Sequence, residues 1–200
     1  HLILGYGLRI QKGKGDIDAS VQVIVDSARS MERIVHDVLD FARPVRLELK
    51  EEDARAIVSR VRDLCAKKAE EKDVLLSLDL PAEPTLVMVD GEQIQRALVS
   101  LVNNAIEASD AGQNVVVTVT CRKTHLVITV RDHGSGMDKE TLEKLFTPFF
   151  TTKKGGNGLG MSIAQKIIEA HDATIRIESE QGKGTEATLV VSYEDKRKTG

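Results

Sequence analysis

The sequence predicts an α+β chain: a helical hairpin of the dimeric four-helix-bundle type, then an α/β sandwich of mixed sheet and covering helices. Three observations predict it. Apolar Ile17, Val21, Ile24, Ala28, Met31, Val35, Val38 and Ala42 alternate spacings of four and three, an unbroken heptad seam. Beyond Pro44, short β-branched runs interleave with helical periodicities, the pattern of a sheet covered by helices. Near the end, Gly156-Asn157-Gly158-Leu159-Gly160-Met161 runs into apolar Met161, Ile163, Ala164, Ile167, Ile168 and Ala170 at helical spacing.

Taken in order, His1 to Ile10 reads as the end of a helix and Gln11 to Gly15 as a turn rich in glycine and charge. The seam begins after Asp16, and Pro44 forbids its continuation, so that helix stops near Ala42 or Arg43. Ile34, Leu39 and Phe41 widen its apolar face beyond a two-stranded coil. One long helix and a stub cannot bury such a seam alone. The expected solution is a hairpin that pairs with a second copy; the other is packing on the chain's own globular domain.

An extended segment over 46–52 leads to a helix over about 53–71, with Ile57, Val58, Val61, Leu64 and Cys65 inward. Val74 to Leu80 and Thr85 to Val89 read as strands, and Gln93 to Ser109 as a second helix. Val115 to Arg122 and His125 to Asp132 form a hairpin, and Thr174 to Ser179 pairs with Thr185 to Tyr193. The domains are thus 1–44 for the helices, 45–195 for the sandwich and 196–200 for a charged tail.

Composition narrows the function. At 41% apolar and 30% charged, the chain suits a globular protein with a real core. A net charge of −3 supplies no basic field for non-specific nucleic-acid binding. No apolar run reaches the ~20 residues of a membrane span, and no signal peptide is visible, which points to a cytoplasmic chain without membrane contact of its own, whether or not the parent protein is membrane-anchored. Cys65 and Cys121 lack the paired spacing of a zinc site or disulfide framework and read as buried thiols. The chain opens inside an apolar stretch, as a piece of something longer would.

The glycine loop is a candidate phosphate seat, because bare N–H groups and the positive end of a helix dipole converge there. Taken alone it is equally a flexible linker. A P-loop fits in spacing through Gly155, Gly160 and Ser162, but Met161 stands where its lysine belongs. On the second helix, Ile94, Leu98, Leu101, Val102 and Ala105 share the core face at 100° per residue. Asn104 then sits at its edge, stacked with Ser100 and Glu107, while Asn103 points away. Asn104 is a hard-oxygen candidate for Mg2+, or a helix-edge residue bonded locally. Asp132, followed by Gly134, Gly136 and Met137, is a turn with a capping aspartate or an acceptor for an adenine amino group, the glycines letting backbone pass the ring. Phe146, Phe149 and Phe150 pin a loop or frame a site. Lys153, just before the glycines, is placed to reach a terminal phosphate as a mobile charge. The segment from Thr151 to Asn157 would then be a lid ordered by nucleotide.

Four blocks together resemble one family. Asn104-Ala105, Asp132-His133-Gly134-Ser135-Gly136-Met137, Phe146-Thr147-Pro148-Phe149-Phe150 and Gly156-Asn157-Gly158-Leu159-Gly160 look like the N, G1, F and G2 boxes of sensor histidine kinases, in the gyrase, chaperone, histidine-kinase and MutL ATPase superfamily. Gly182-Lys183-Gly184-Thr185 is similar to its further glycine motif, and Met31 to Pro44 to the second helix of its dimerisation hairpin. The resemblance implies a sandwich of Bergerat type that binds ATP with Mg2+, homodimerises, autophosphorylates on histidine and relays to a response-regulator receiver domain. Its nucleotide-binding positions fall on Asn104, Glu107, Ala108, Asp132, Gly134, Gly136, Met137, Phe149, Thr152, Lys153, Gly156, Gly158, Leu159, Gly160, Met161 and Thr185. Asn104 and Lys153 carry the catalytic roles, and Asn104 the metal.

Departures matter too. Ser100 stands four residues before Asn104, where hydrolytic relatives are expected to hold a glutamate base. His171-Asp172-Ala173 replaces a His-Gly-Gly turn. The family's acceptor box is expected upstream of Gly5-Tyr6; His1 lies too close, and Phe41 occupies the proline position that His36-Asp37 would need. The acceptor is therefore expected outside the chain. The alternatives to a kinase are a nucleotide-gated interaction module and a superfamily ATPase without histidine transfer.

Overall fold

Helix termini set the layout. In the N-terminal unit, His1–Arg43, α1 (Leu2–Gln11) packs on α2 (Ile17–Ala42). The Asp16 carboxylate caps α2 by accepting the Ala19 N–H at 3.1 Å. Arg43 is extended and ends the helix one residue before Pro44, as the proline ring requires. The heptad seam stays open, with Ile17, Val21, Met31, Val35 and Val38 exposed. This is a computed structural model describing residues 2–13, 16–122, 125–153 and 156–192. The expectations for His1, Gly15, Gly155, Tyr193 and the tail lie outside the described residues.

The second unit, Pro44–Gly200, contains β1 (Lys50–Asp53), α3 (Ala54–Glu71), β2 (Leu75–Asp79), β3 (Leu86–Val89) and α4 (Gly91–Ala108). There follow β4 (Asn114–Arg122), β5 (His125–Arg131), α5 (Lys139–Lys144), α6 (Gly160–Ala170), β6 (Thr174–Glu180) and β7 (Gly184–Ser192). The main sheet runs β2-β4-β5-β7-β6 and is parallel only between β2 and β4. Strands β1 and β3 form a separate antiparallel ribbon, which the reading of 46–52 as merely extended did not foresee. Along β4, β5 and β7, alternate residues Val115, Val117, Val119, Leu126, Ile128, Val130, Ala187, Leu189 and Val191 are buried. They form one apolar face, with Ile128 paired to both Val119 and Leu189. Burying each of the valine, leucine and isoleucine side chains contributes ~1.5–3 kcal/mol.

Helix α4 lies between α3 and α6, and its predicted core face is buried throughout. Because it has a neighbour on each flank, Asn103 is half-buried as well, contrary to its expected outward direction. On α3, Leu64 is 61% exposed rather than inward; it lies roughly 90° from the mean direction of the buried residues. Ala170 and Cys121 are also exposed, the first at the end of α6 and the second near the end of β4. Cys65 is buried, and burial pushes its thiol pKa up. No helix among the described residues is long and apolar enough to cross a membrane.

Both α3 and α6 finish in the same way. Asp73 and Asp172 adopt left-handed φ of 53° and 52°. The Asp73 and Val74 N–H groups return to the Glu70 and Ala69 carbonyls, and those of Asp172 and Ala173 to Glu169 and Ile168. This double bond pair is the Schellman end, usually built on glycine. At α4, Asp90 Oδ1 accepts the Gln93 N–H, Oδ2 accepts the Glu48 N–H, and its own N–H donates to His171 Nε2 at 3.1 Å. The helix start, the end of α6 and the segment after Pro44 thus meet at one residue.

Replacing Asp172 with glycine should raise unfolding free energy by ~1 kcal/mol, because the left-handed penalty disappears. Asp90→Ala should lower it by ~1–2 kcal/mol through loss of the cap. Urea titration of both variants measures each change.

Candidate functional site

The turn after β5 is held by Asp132, which is 4% exposed. Its Oδ1 accepts the Gly134 N–H at 2.9 Å and the Thr185 N–H at 3.2 Å, while its own N–H donates to the Thr185 carbonyl at 2.9 Å. No hydrogen bond among the described residues uses Oδ2. Burial raises the carboxyl pKa, and the two backbone donors only partly offset it. A carboxyl whose folded-state pKa is raised disfavours folding above that pKa, and the penalty fades as pH falls through it toward the unfolded value.

The glycines here, expected to let backbone pass close to a ligand ring, also lie directly against protein backbone. A Cβ on Gly134 would overlap the Ala108 carbonyl, and one on Gly136 the Glu180 carbonyl. Gly136 also has φ +59°. The Ser135 N–H donates to the Ala108 carbonyl at 3.0 Å, which fastens the turn to the end of α4. Ser179, which no motif flagged, accepts the Met137 N–H at 2.9 Å, donates to the Gly184 carbonyl and shares a hydrogen bond with Thr185.

At the start of α6, Leu159 is fully buried and supplies no side-chain cap. Aspartates 16, 53, 90 and 138 cap α2 to α5, so α6 alone of these five presents a bare N-terminus. Gly158, at φ +68°, crosses Phe149, and a Cβ there would lie 2.5 Å from the Phe149 carbonyl carbon. Phe149 itself has φ +66° and donates its N–H to the Gly158 carbonyl at 3.0 Å. Phe149 is 61% exposed. The nearest atom to a Cβ on Gly160 would be Ser100 Oγ, at 2.9 Å. Gly156 donates to the Lys153 carbonyl at 3.3 Å, Met161 is half-buried and Thr152 is exposed.

Asn104, Glu107 and Lys153 come together. Lys153 Nζ donates to Asn104 Oδ1 at 2.7 Å and bonds the Glu107 carboxylate. Lys68 on α3, outside every motif, holds the other Glu107 oxygen. Burial by itself would raise the Glu107 pKa, but hydrogen bonds and charge from the two lysines outweigh it and set it low. The arrangement bears on a metal: Asn104 offers one hard oxygen beside phosphate donors, as Mg2+ accepts, and that oxygen already carries a cation. Among the described residues no group of three or more His, Cys, Asp or Glu side chains is placed to hold a metal.

Asp132→Asn keeps an acceptor for both backbone N–H groups and removes a buried charge. Thermal unfolding near neutral pH should therefore show the same or a higher melting temperature, with the advantage shrinking as pH falls. Gly134→Ala should destabilise by ~1–3 kcal/mol, because the turn must leave the Ala108 carbonyl.

Comparison with known proteins gives the same picture. Residues 89–195 match the family described as histidine kinase-, DNA gyrase B-, and HSP90-like ATPase. The chain is 33% identical over 89% of its length to sporulation kinase E of Bacillus subtilis (strain 168), and 32% identical over 88% to sensor histidine kinase ZraS of Escherichia coli (strain K12). It spans 24% and 38% of those relatives. The crystal structure of histidine kinase ThkA in complex with response regulator protein TrrA superposes with a TM-score of 0.79 at 27% identity, over 96% of this chain and 56% of that one. With the sheet topology, the Asp132 turn and the bare start of α6 in place, the chain belongs to the histidine kinase-, DNA gyrase B-, and HSP90-like ATPase family.

Proposed function

We propose that this chain is the catalytic core of a sensor histidine kinase, binding Mg-ATP and passing the γ-phosphoryl to a histidine that is none of its own five. Relay then goes to an aspartate of a response-regulator receiver domain. The observations that carry this reading are the uncapped start of α6, which lies against Ser100 one turn before Asn104 on α4, and the bond from Lys153 to Asn104. The kinase names of the two relatives and the response regulator bound to ThkA support it.

Each residue then has a role. Asp132 Oδ2, left over from the turn, accepts from the adenine amino group, with Gly134, Gly136, Met137 and Thr185 framing the ring. Ala108, Phe149 and Thr152 border the nucleotide. The N–H groups around Gly158 and Gly160 cradle phosphate oxygens at the positive helix end, with Gly156, Leu159 and Met161 bordering them. Asn104 would hold Mg2+ through its carboxamide oxygen, and the ion, when bound, neutralises phosphate charge. Lys153 exchanges Glu107 for the terminal phosphate. Phosphoryl transfer through a loose transition state asks chiefly for such alignment and charge neutralisation. Ser100 Oγ lies at the start of α6 and cannot serve as a carboxylate base for water, which favours transfer over hydrolysis.

In this reading the acceptor is supplied from outside the chain: His36 pairs with Asp40, at 3.2 Å one helical turn on, with Phe41 in the box's proline position, and His171 bonds Asp90 and Ile167. The open seam of α2 suits pairing with a second copy.

With labelled Mg-ATP the chain should bind nucleotide without labelling itself, and should label a separate fragment carrying an intact acceptor box. Asn104→Ala should abolish that transfer, whereas Asp132→Asn should weaken nucleotide binding ~10- to 100-fold, the worth of one hydrogen bond to a charged group. Binding without transfer, or steady phosphate release instead, would overturn the assignment.

A further inference from the structure

We propose that Lys153 is a cationic placeholder for the metal, held on Asn104 by Glu107 and released by competition from Lys68. The inference rests on the nucleotide reading above and goes beyond it by assigning work to Glu107 and Lys68. The geometry is direct. One ammonium group, Lys153 Nζ, reaches the Asn104 carboxamide oxygen and the Glu107 carboxylate together. Asn104 and Glu107 lie one turn apart on α4, so a cation between them satisfies both. While Lys153 stays there, the oxygen proposed for Mg2+ is engaged, and the charge proposed for the terminal phosphate is turned away from it.

Lys68 makes this hold reversible. It approaches from α3 and takes the other carboxylate oxygen, so Glu107 keeps a counter-ion when Lys153 leaves. A carboxylate with a single lysine would grip that lysine harder, and one with two shares its charge between them. All three side chains are partly open to solvent, at 36–40% exposure. The latch is accordingly weak, in the range of exposed ion pairs. A contact of that strength delays a ligand without excluding it.

Glu107 is therefore a positioning residue that opposes metal-nucleotide binding, the reverse of a direct ligand. The test is titration calorimetry of the whole chain with Mg-ADP, which lacks the γ-phosphate and so reads the competition at Asn104 alone. Glu107→Gln should tighten Mg-ADP binding about 3- to 5-fold, and Lys68→Met should weaken it by a similar factor. With ADP in EDTA the opposite shifts of the two variants should shrink to about half or less, and shifts of the same size without the metal would overturn the placeholder. Melting curves establish that each variant is folded, and the isosteric glutamine keeps the helix surface unchanged. Unchanged or weaker Mg-ADP binding by folded Glu107→Gln would overturn the placeholder while leaving the nucleotide site standing. Failure of the wild-type chain to bind Mg-ADP at all would bring down both.

Discussion

Backbone meets backbone at three places around the site with no room for a methyl group between. Gly134 lies on the Ala108 carbonyl, Gly136 on the Glu180 carbonyl and Gly184 on the Asp132 carbonyl. These crossings lock the turn after β5 to the end of α4 and to the β6–β7 turn. Asp132 stands at their centre, fixed by two N–H donors on one oxygen. With Oδ1 committed to the fold, Oδ2 is the oxygen without a hydrogen bond among the described residues, the atom proposed above for the adenine amino group.

Around that fixed frame the remaining parts are held more loosely. Lys153, Glu107 and Lys68 are half-exposed and joined by ion pairs that solvent screens. The glycine run rests on Phe149, a non-glycine residue held at positive φ, a conformation kept only where neighbours impose it. Under the proposed function, a rigid turn at one end of the nucleotide and adjustable contacts at the other would suit a reaction in which the terminal phosphate must leave.

Much of this was legible in residue order. Heptad spacing located α2 to within a residue at each end, and the core face of α4 followed from 100° steps. The places where that reasoning fell short share a cause. A single-helix wheel knows one buried direction, whereas α4 has partners on both flanks, which covers Asn103. Leu64 and Ala170 are apolar by composition yet lie outside what their helices cover. Short α5 has too few turns for periodicity to show; its start is marked by Asp138, whose pKa is lowered by hydrogen bonds from Thr141. Lys68 and Ser179 reach the site only through the packing of α3 and the register of β6 with β7, and neither has a local signature.

The two thiols differ in a way that has a practical use. Cys65 is buried, and its raised pKa leaves little thiolate to react, whereas Cys121 is exposed near the end of β4. Cys121 pairs with Leu126 at the far end of β5 from Asp132, a separation of roughly 20 Å at the rise of a strand. A maleimide dye would attach there selectively, giving an optical reporter that leaves the Asp132 turn untouched.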